Sequence, residues 1–287
     1  MTARKSLPPI HLHPILMLFI AIAFLTGTFV ELLIIFCIVL FHELGHYSMA
    51  LLFKWRIQGI VLWIFGGVME TDEYGNRPLY EELLVTIAGP FQHIVLYLIL
   101  FLGMLLNFLP SSILEMALYY NSLILFFNLI PIWPLDGGKF LFLLLSYWLP
   151  YKTAHQTIIL LSIFLSFILA CVFLFFMPFS LSAFCIALFL AAENRVEWKR
   201  RYYVFIRFLL ERYQNGNVVK VVDPIVISHH ASLMDVFAQF RREKKHAIYV
   251  TYPGNRRKTM DENDCLYCFF QKRRYDLTIG DIADEIA

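Results

Sequence analysis

Charge is what this chain is short of. From Pro14 to Leu40 the single charged residue is Glu31. Cysteine is sparse as well. Cys37, Cys171 and Cys185 lie in apolar runs and Cys265 and Cys268 in a polar tail, so no disulfide framework follows. The basic start, MTARKSLPPIHLHP, resembles a signal-peptide leader, but no small-residue cleavage site follows the apolar stretch, so a retained first span is expected. Internal repeats and low-complexity tracts are lacking, which excludes solenoids and biased linkers. What fills the space is hydrocarbon: 59% of the residues are hydrophobic, 28 are Phe, and the mean hydropathy is +0.65. Soluble domains run near ~45–50% apolar, so the composition defines a membrane protein rather than a large-cored soluble enzyme.

A helix needs about 20 apolar residues to cross a bilayer. Candidate spans fall near 14–30, 32–53, 83–109, 112–131, 157–176 and 179–193, giving a polytopic α-helical protein of about six transmembrane helices. FLFLLLSYWL (140–149) is apolar but too short. Residues 54–82, with aromatic and β-branched residues around Gly66-Gly67, predict a hairpin dipping into the interface. From Asn194 onward there are 17 Lys+Arg against 12 Asp+Glu, net +5, while the rest has 7 against 10, net −3. Arg195, Lys199, Arg200 and Arg201 directly follow the last span, which places the tail in the cytoplasm; six spans put Arg4 and Lys5 there too, with both termini on that side. The basic runs RREKK and RRK are explained by solvated faces beside anionic membrane lipid, without nucleic acid.

At the end of the second span stands HELGH, residues 42–46. On a helix, positions i and i+4 share a face, so His42 and His46 can grip one Zn²⁺ while Glu43 reaches metal-bound water. Ionisable groups inside a span are costly and mark functional sites. A catalytic zinc takes three protein ligands and keeps one open position. His11, His13, His93, His155 and Asp136 are available for the third. Spans two and four run the same way in a six-span topology, which brings HELGH and the LDGG of 135–138 to the same, cytoplasmic half and favours Asp136.

HELGH, together with the N-x-x-P-x-x-P-L-D-G-G stretch from Asn128, resembles the site-2 protease family of intramembrane zinc metalloproteases. AGPFQH (88–93) is similar to that family's AGPxxN signature, with His93 where the family has Asn. HPILMLF, GGVxE, GNRPLYEE, PIWPLDGGK and RFLLERY look like the branch of mother-cell proteases that process pro-sigma-K in endospore-forming bacteria. The resemblance implies His42, His46 and Asp136 as zinc ligands and Glu43 as general base. It also implies a membrane-associated precursor as substrate, membrane inhibitor proteins as partners, and a place in the mother-cell membrane around the forespore. For contact with substrate, Phe65, Gly66 and Gly67 offer a hairpin edge, and Asn128 and His93 offer polar groups. Gly45, Gly66, Gly67 and Gly89 are places where backbone or substrate can approach closely.

The chain divides into a membrane domain (1–193), a helical connector (194–217) and a cytoplasmic unit (218–287). The last reads strand (VVDPIVIS), helix (SLMDVFAQFRREKK), strand (HAIYVTY), Pro-Gly-Asn turn and helix (DENDCLYCFFQKR). It resembles one cystathionine-β-synthase (CBS) motif, a module that works in pairs and often binds adenine nucleotides; a single copy implies a homo-oligomer and an ATP site. The lone Cys265-Leu-Tyr-Cys268 is expected on one face of an ordinary helix. Two other functions compete: a non-catalytic nucleotide-sensing membrane regulator, and a zinc transporter. Clustering of the ligands at one depth beside a Glu favours hydrolysis over transport.

Overall fold

The computed structural model describes residues 10–12, 14–63, 66–71, 73, 75, 77–175, 181–215, 221–254 and 256–286. The chain is mostly helical and forms two compact units. One comprises Met1–Phe140 with Phe179–Ile186, the other Leu141–Pro178 with Ala187–Ala287.

The first unit opens with a short strand β1 (Ile10–Leu12) and helix α1 (Pro14–Thr26). At Gly27 the backbone takes φ +75°, a conformation only glycine adopts without strain, and α1 ends there. Helix α2 (Phe29–Leu52) follows, then the hairpin β2 (Ile57–Trp63) and β3 (Gly66–Thr71), then α3 (Leu79–Leu105) and α4 (Ser111–Leu129). The expected hairpin is present, and β1 joins it: Ile10 to Leu12 pair in parallel with Ile60 to Leu62, giving the order β1-β2-β3. At its base Ala50, Trp55, Met69 and Val85 form a small core that ties the sheet to α2 and α3. Trp55 donates its indole N–H to Glu81, and Gly75 N–H donates to Glu82, so the buried carboxylates opening α3 are satisfied.

The second unit holds most of α5 (Asp136–Trp148), then α6 (Tyr151–Phe175) and most of α7 (Leu181–Asn215). Among the described residues, four helices are long and apolar enough to span a bilayer: α2, α3, α4 and α6. Their outward side chains, such as Phe101, Phe126, Phe164 and Phe167, are exposed, as lipid-facing residues are. The sequence led to an expectation of six spans. α1 has 13 residues, about 20 Å at 1.5 Å per residue, and α7 turns from apolar to charged within a single helix.

The C-terminal end is a small α/β fold. Strands β4 (Val222–Ser228) and β5 (Lys245–Thr251) pair in parallel across α8 (Leu233–Phe237), and β6 (Arg257–Asp261) adds antiparallel to β5. Helices α9 (Glu262–Phe270) and α10 (Ile279–Ile286) complete it. Capping boxes at Ser232/Asp235 and Asp261/Asp264 start α8 and α9. The structure adds β6 and α10 to the elements expected, and it shortens α8 to five residues. Cys265 and Cys268 are buried in α9, and burial pushes the Cys265 thiol well up, so the pair behaves as core.

Candidate active site

Helix α2 carries His42, Glu43 and His46, all buried. One turn apart, the two imidazoles stand edge to face at 4.7 Å, with their Nε2 atoms 3.1 Å from each other. Asp136 opens α5, and its Oδ2 lies 3.0 Å from His42 Nε2 and 3.2 Å from His46 Nε2. Its other oxygen pairs with Lys139 Nζ at 3.4 Å.

The local sequence explains how Asp136 arrives there. After α4 the segment IPIWPL turns back on itself, with Ile132 N–H donating to Ile130 O and Leu135 N–H to Ile132 O. The first turn of α5 then presses onto that loop. A Cβ at position 137 would sit 2.3 Å from Leu129 O, and one at 138 would sit 2.5 Å from Ile132 O. Two glycines after the aspartate are therefore a packing requirement. The same holds where α2 crosses α3. A Cβ on Gly45 would meet Ala88 O at 2.4 Å, and one on Gly89 would meet His46 Nε2 at 2.2 Å. Small residues let the two helices approach until α3 backs directly onto the histidines.

The hydrogen bonds decide what these atoms can bind. His46 Nδ1 lies 2.8 Å from the carbonyl of Val85, which only accepts, so Nδ1 carries the proton and the neutral ring leaves Nε2 as a lone pair. His42 Nδ1 is likewise engaged, 3.0 Å from His93 Nε2. Three electron-rich atoms thus converge at 3.0–3.2 Å. Tetrahedral zinc with ligands at ~2.0–2.1 Å would hold its donors about 3.3 Å apart. The donor set and its spacing fit a bound cation, and the same three residues form the one such group found among the described residues.

The remaining expected residues fall as follows. Glu43 is buried on α2 three positions before His46, on the flank of the same face. His93 is fully buried, and with His42 on Nε2 and Asn121 Oδ1 2.7 Å from Nδ1 neither ring nitrogen is left for substrate. Asn128 is half-buried in the last turn of α4. Gly66 and Gly67 start β3, paired with Trp63 and Leu62 at the tip of the hairpin; Phe65 lies outside the described residues. Of the other ligand candidates, His155 pairs with Glu197 in the second unit, His11 is in β1, and His13 lies outside the described residues. Asn121 went unnoticed in the sequence, where an amide inside the apolar α4 was the available signal.

A HExxH helix joined by an aspartate from a later segment, within a bundle of apolar helices, defines a membrane metalloprotease. Comparison with known proteins agrees. The model for peptidase family M50 matches residues 30–111 and 107–171, and the chain belongs to that family, the site-2 proteases. It is similar to stage IV sporulation protein FB of Bacillus subtilis (strain 168), 40% identical over 275 residues and covering 95% of each chain. It is also similar to the zinc metalloprotease MJ0392 of Methanocaldococcus jannaschii, 32% identical over 150 residues, covering 48% of this chain and 43% of the relative. Among solved structures, the site-2 protease from Methanocaldococcus jannaschii superimposes with a TM-score of 0.55 at 26% identity, over 68% of this chain and 93% of that one.

Proposed function

We propose that this chain is an intramembrane zinc metalloprotease that cleaves a membrane-associated precursor of the pro-sigma-K type, with His42, His46 and Asp136 holding one Zn²⁺ and Glu43 as general base. The observation that carries the reading is the meeting, at 3.0–3.2 Å, of two lone-pair donors from the apolar helix that also bears Glu43 with a third, Asp136, from the start of α5. Zn²⁺ supplies Lewis-acid polarisation of the scissile carbonyl and acidifies water to a pKa of ~7. Glu43 takes the proton from the attacking water and returns it to the leaving amine. Lys139 neutralises the outer oxygen of Asp136, and the Val85 carbonyl holds the His46 ring in its ligating tautomer.

The far edge of β3 suits an extended substrate added as a further strand, and we propose Phe65, Gly66 and Gly67 as its contacts there, with Asn128 as the proposed polar group. Likeness to the sporulation protein supports pro-sigma-K as the substrate and the mother-cell membrane around the forespore as the location. We further propose six spans with both termini cytoplasmic, and a division of labour into a protease domain (1–193), a connector (194–217) and a CBS-like module (218–287). Pairing between chains, an adenine-nucleotide site in the module and membrane inhibitor proteins as partners are part of the same proposal; the module has the order β4-α8-β5-β6-α9-α10.

The test is co-expression of this chain with a membrane-associated pro-sigma-K precursor, read as a size shift. Cleavage by the wild-type chain but not by Glu43→Gln is expected. A precursor left intact beside a folded, zinc-loaded wild-type enzyme would overturn the substrate assignment.

A further inference from the structure

Behind His42 lies a chain of buried hydrogen bonds that the protease chemistry does not itself require. The amide of Asn121 is oriented without ambiguity. Its Nδ2 lies 3.1 Å from the backbone carbonyl of His93, which can only accept, so Oδ1 faces the ring. That oxygen is 2.7 Å from His93 Nδ1, which must therefore carry the proton. A neutral His93 then has a lone pair on Nε2, 3.0 Å from His42 Nδ1. His42 donates from Nδ1, and its own lone pair is left on Nε2, the atom that faces Asp136. His93 and Asn121 are both fully buried, so water does not compete for these bonds.

We infer that Asn121 and His93 form a relay that fixes the tautomer and ring orientation of His42, making them positioning residues for the metal centre. The inference rests on the reading that His42, His46 and Asp136 hold a metal. Its logic is directional. The backbone carbonyl sets the amide, the amide sets His93, and His93 sets His42. α3 and α4 thereby specify the coordinating atom of a residue on α2. His46 needs no such relay, because the Val85 carbonyl settles its tautomer in one step. Outer partners of ligating histidines are typically worth ~10–100-fold in metal affinity.

The experiment uses the full chain in detergent or nanodiscs, with Co²⁺ and Zn²⁺ affinity measured by chelator competition, for wild type, His93→Phe, Asn121→Leu and the double variant. His93→Phe should bind about 10–100-fold more weakly, with an altered Co²⁺ d–d spectrum. Asn121→Leu should also weaken binding, and the double variant should be no worse than His93→Phe alone, since Asn121 acts only through His93. Nitrogen-15 NMR of the metal-free wild-type protein should find the proton of both His42 and His93 on Nδ1. Metal affinity in His93→Phe within twofold of wild type, losses that add in the double variant, or a His42 proton on Nε2 would each overturn the relay. If His93→Phe does not fold, Asn121→Leu and the tautomer measurement decide alone. A wild-type chain that binds neither ion would instead refute the metal-site reading.

Discussion

Replacing Gly89 with alanine adds one methyl group to a membrane helix, and helix propensity alone says it should help, by about 0.8–1.0 kcal/mol. The packing says the opposite. The new carbon would sit 2.2 Å from His46 Nε2, 2.4 Å from His46 Cε1 and 2.8 Å from His42 Cε1. A Cβ essentially never sits closer than 3.0 Å to a heavy atom beyond its own residue and chain neighbours, so the His46 ring or α3 must give by roughly 1 Å. Metal sites tolerate departures of only about 0.2 Å in ligand distance. The ring is pinned by Val85 O, and overpacking a filled interior costs about 1–3 kcal/mol. The clash therefore wins: Gly89→Ala should bind zinc on the order of 100-fold more weakly, well beyond the ~10-fold expected from a minor loss of ligand support. Gly103→Ala is the control, because its nearest contact would be Leu114 Cδ2 at an unstrained 3.4 Å; it should keep zinc and melt no lower than wild type. Purified protein, chelator competition and thermal melts provide the assay. Wild-type zinc affinity in Gly89→Ala would refute the close approach of α3 to the histidines.

Three further outcomes follow. Glu43→Gln leaves both imidazoles and Asp136 in place, so it should keep stoichiometric zinc by elemental analysis while precursor cleavage falls by about 10²–10⁴. Asp136→Ala should lose zinc on dialysis, and His155→Ala should not, because His155 is occupied by Glu197 in the other unit. Glu262→Ala should destabilise the C-terminal fold by about 3–5 kcal/mol in denaturant melts, since it strands the buried Arg212, to which Glu262 is bonded at 2.7 Å, and frees His246 N–H.

The chemistry was far more legible in the sequence than its supports were. HELGH and LDGG could be read because the i, i+4 rule and turn chemistry are local, and the structure brings His42, His46 and Asp136 together. What was missed is mostly non-local. β1 exists only because Ile10 to Leu12 find Ile60 to Leu62, some fifty residues on, and three residues carry no period of their own. β6, reading RKTMD, is too polar to look like a strand and is held by its neighbour β5. Asn121 is an amide in an apolar run, and its role depends on His93 of a different helix packing against it. Gly45, Gly66, Gly67 and Gly89 are expected from the sequence to permit close approach, but what each approaches is non-local: Gly89 faces the histidines, and Gly137 and Gly138, legible only as turn residues, face the chain's own loop.

The donors of the candidate centre come from segments 90 residues apart in the chain. During synthesis, HELGH leaves the ribosome and enters the membrane long before Asp136 does. A chain arrested anywhere in that interval carries two histidines without their third companion. On the proposed reading it is a nascent protease with no working centre, one that cannot attack the membrane proteins inserted around it. Once Asp136 arrives, bound metal would staple the start of α5 to α2 and close a loop far longer than any turn in the fold, the kind of cross-link whose entropic benefit grows with the loop it closes.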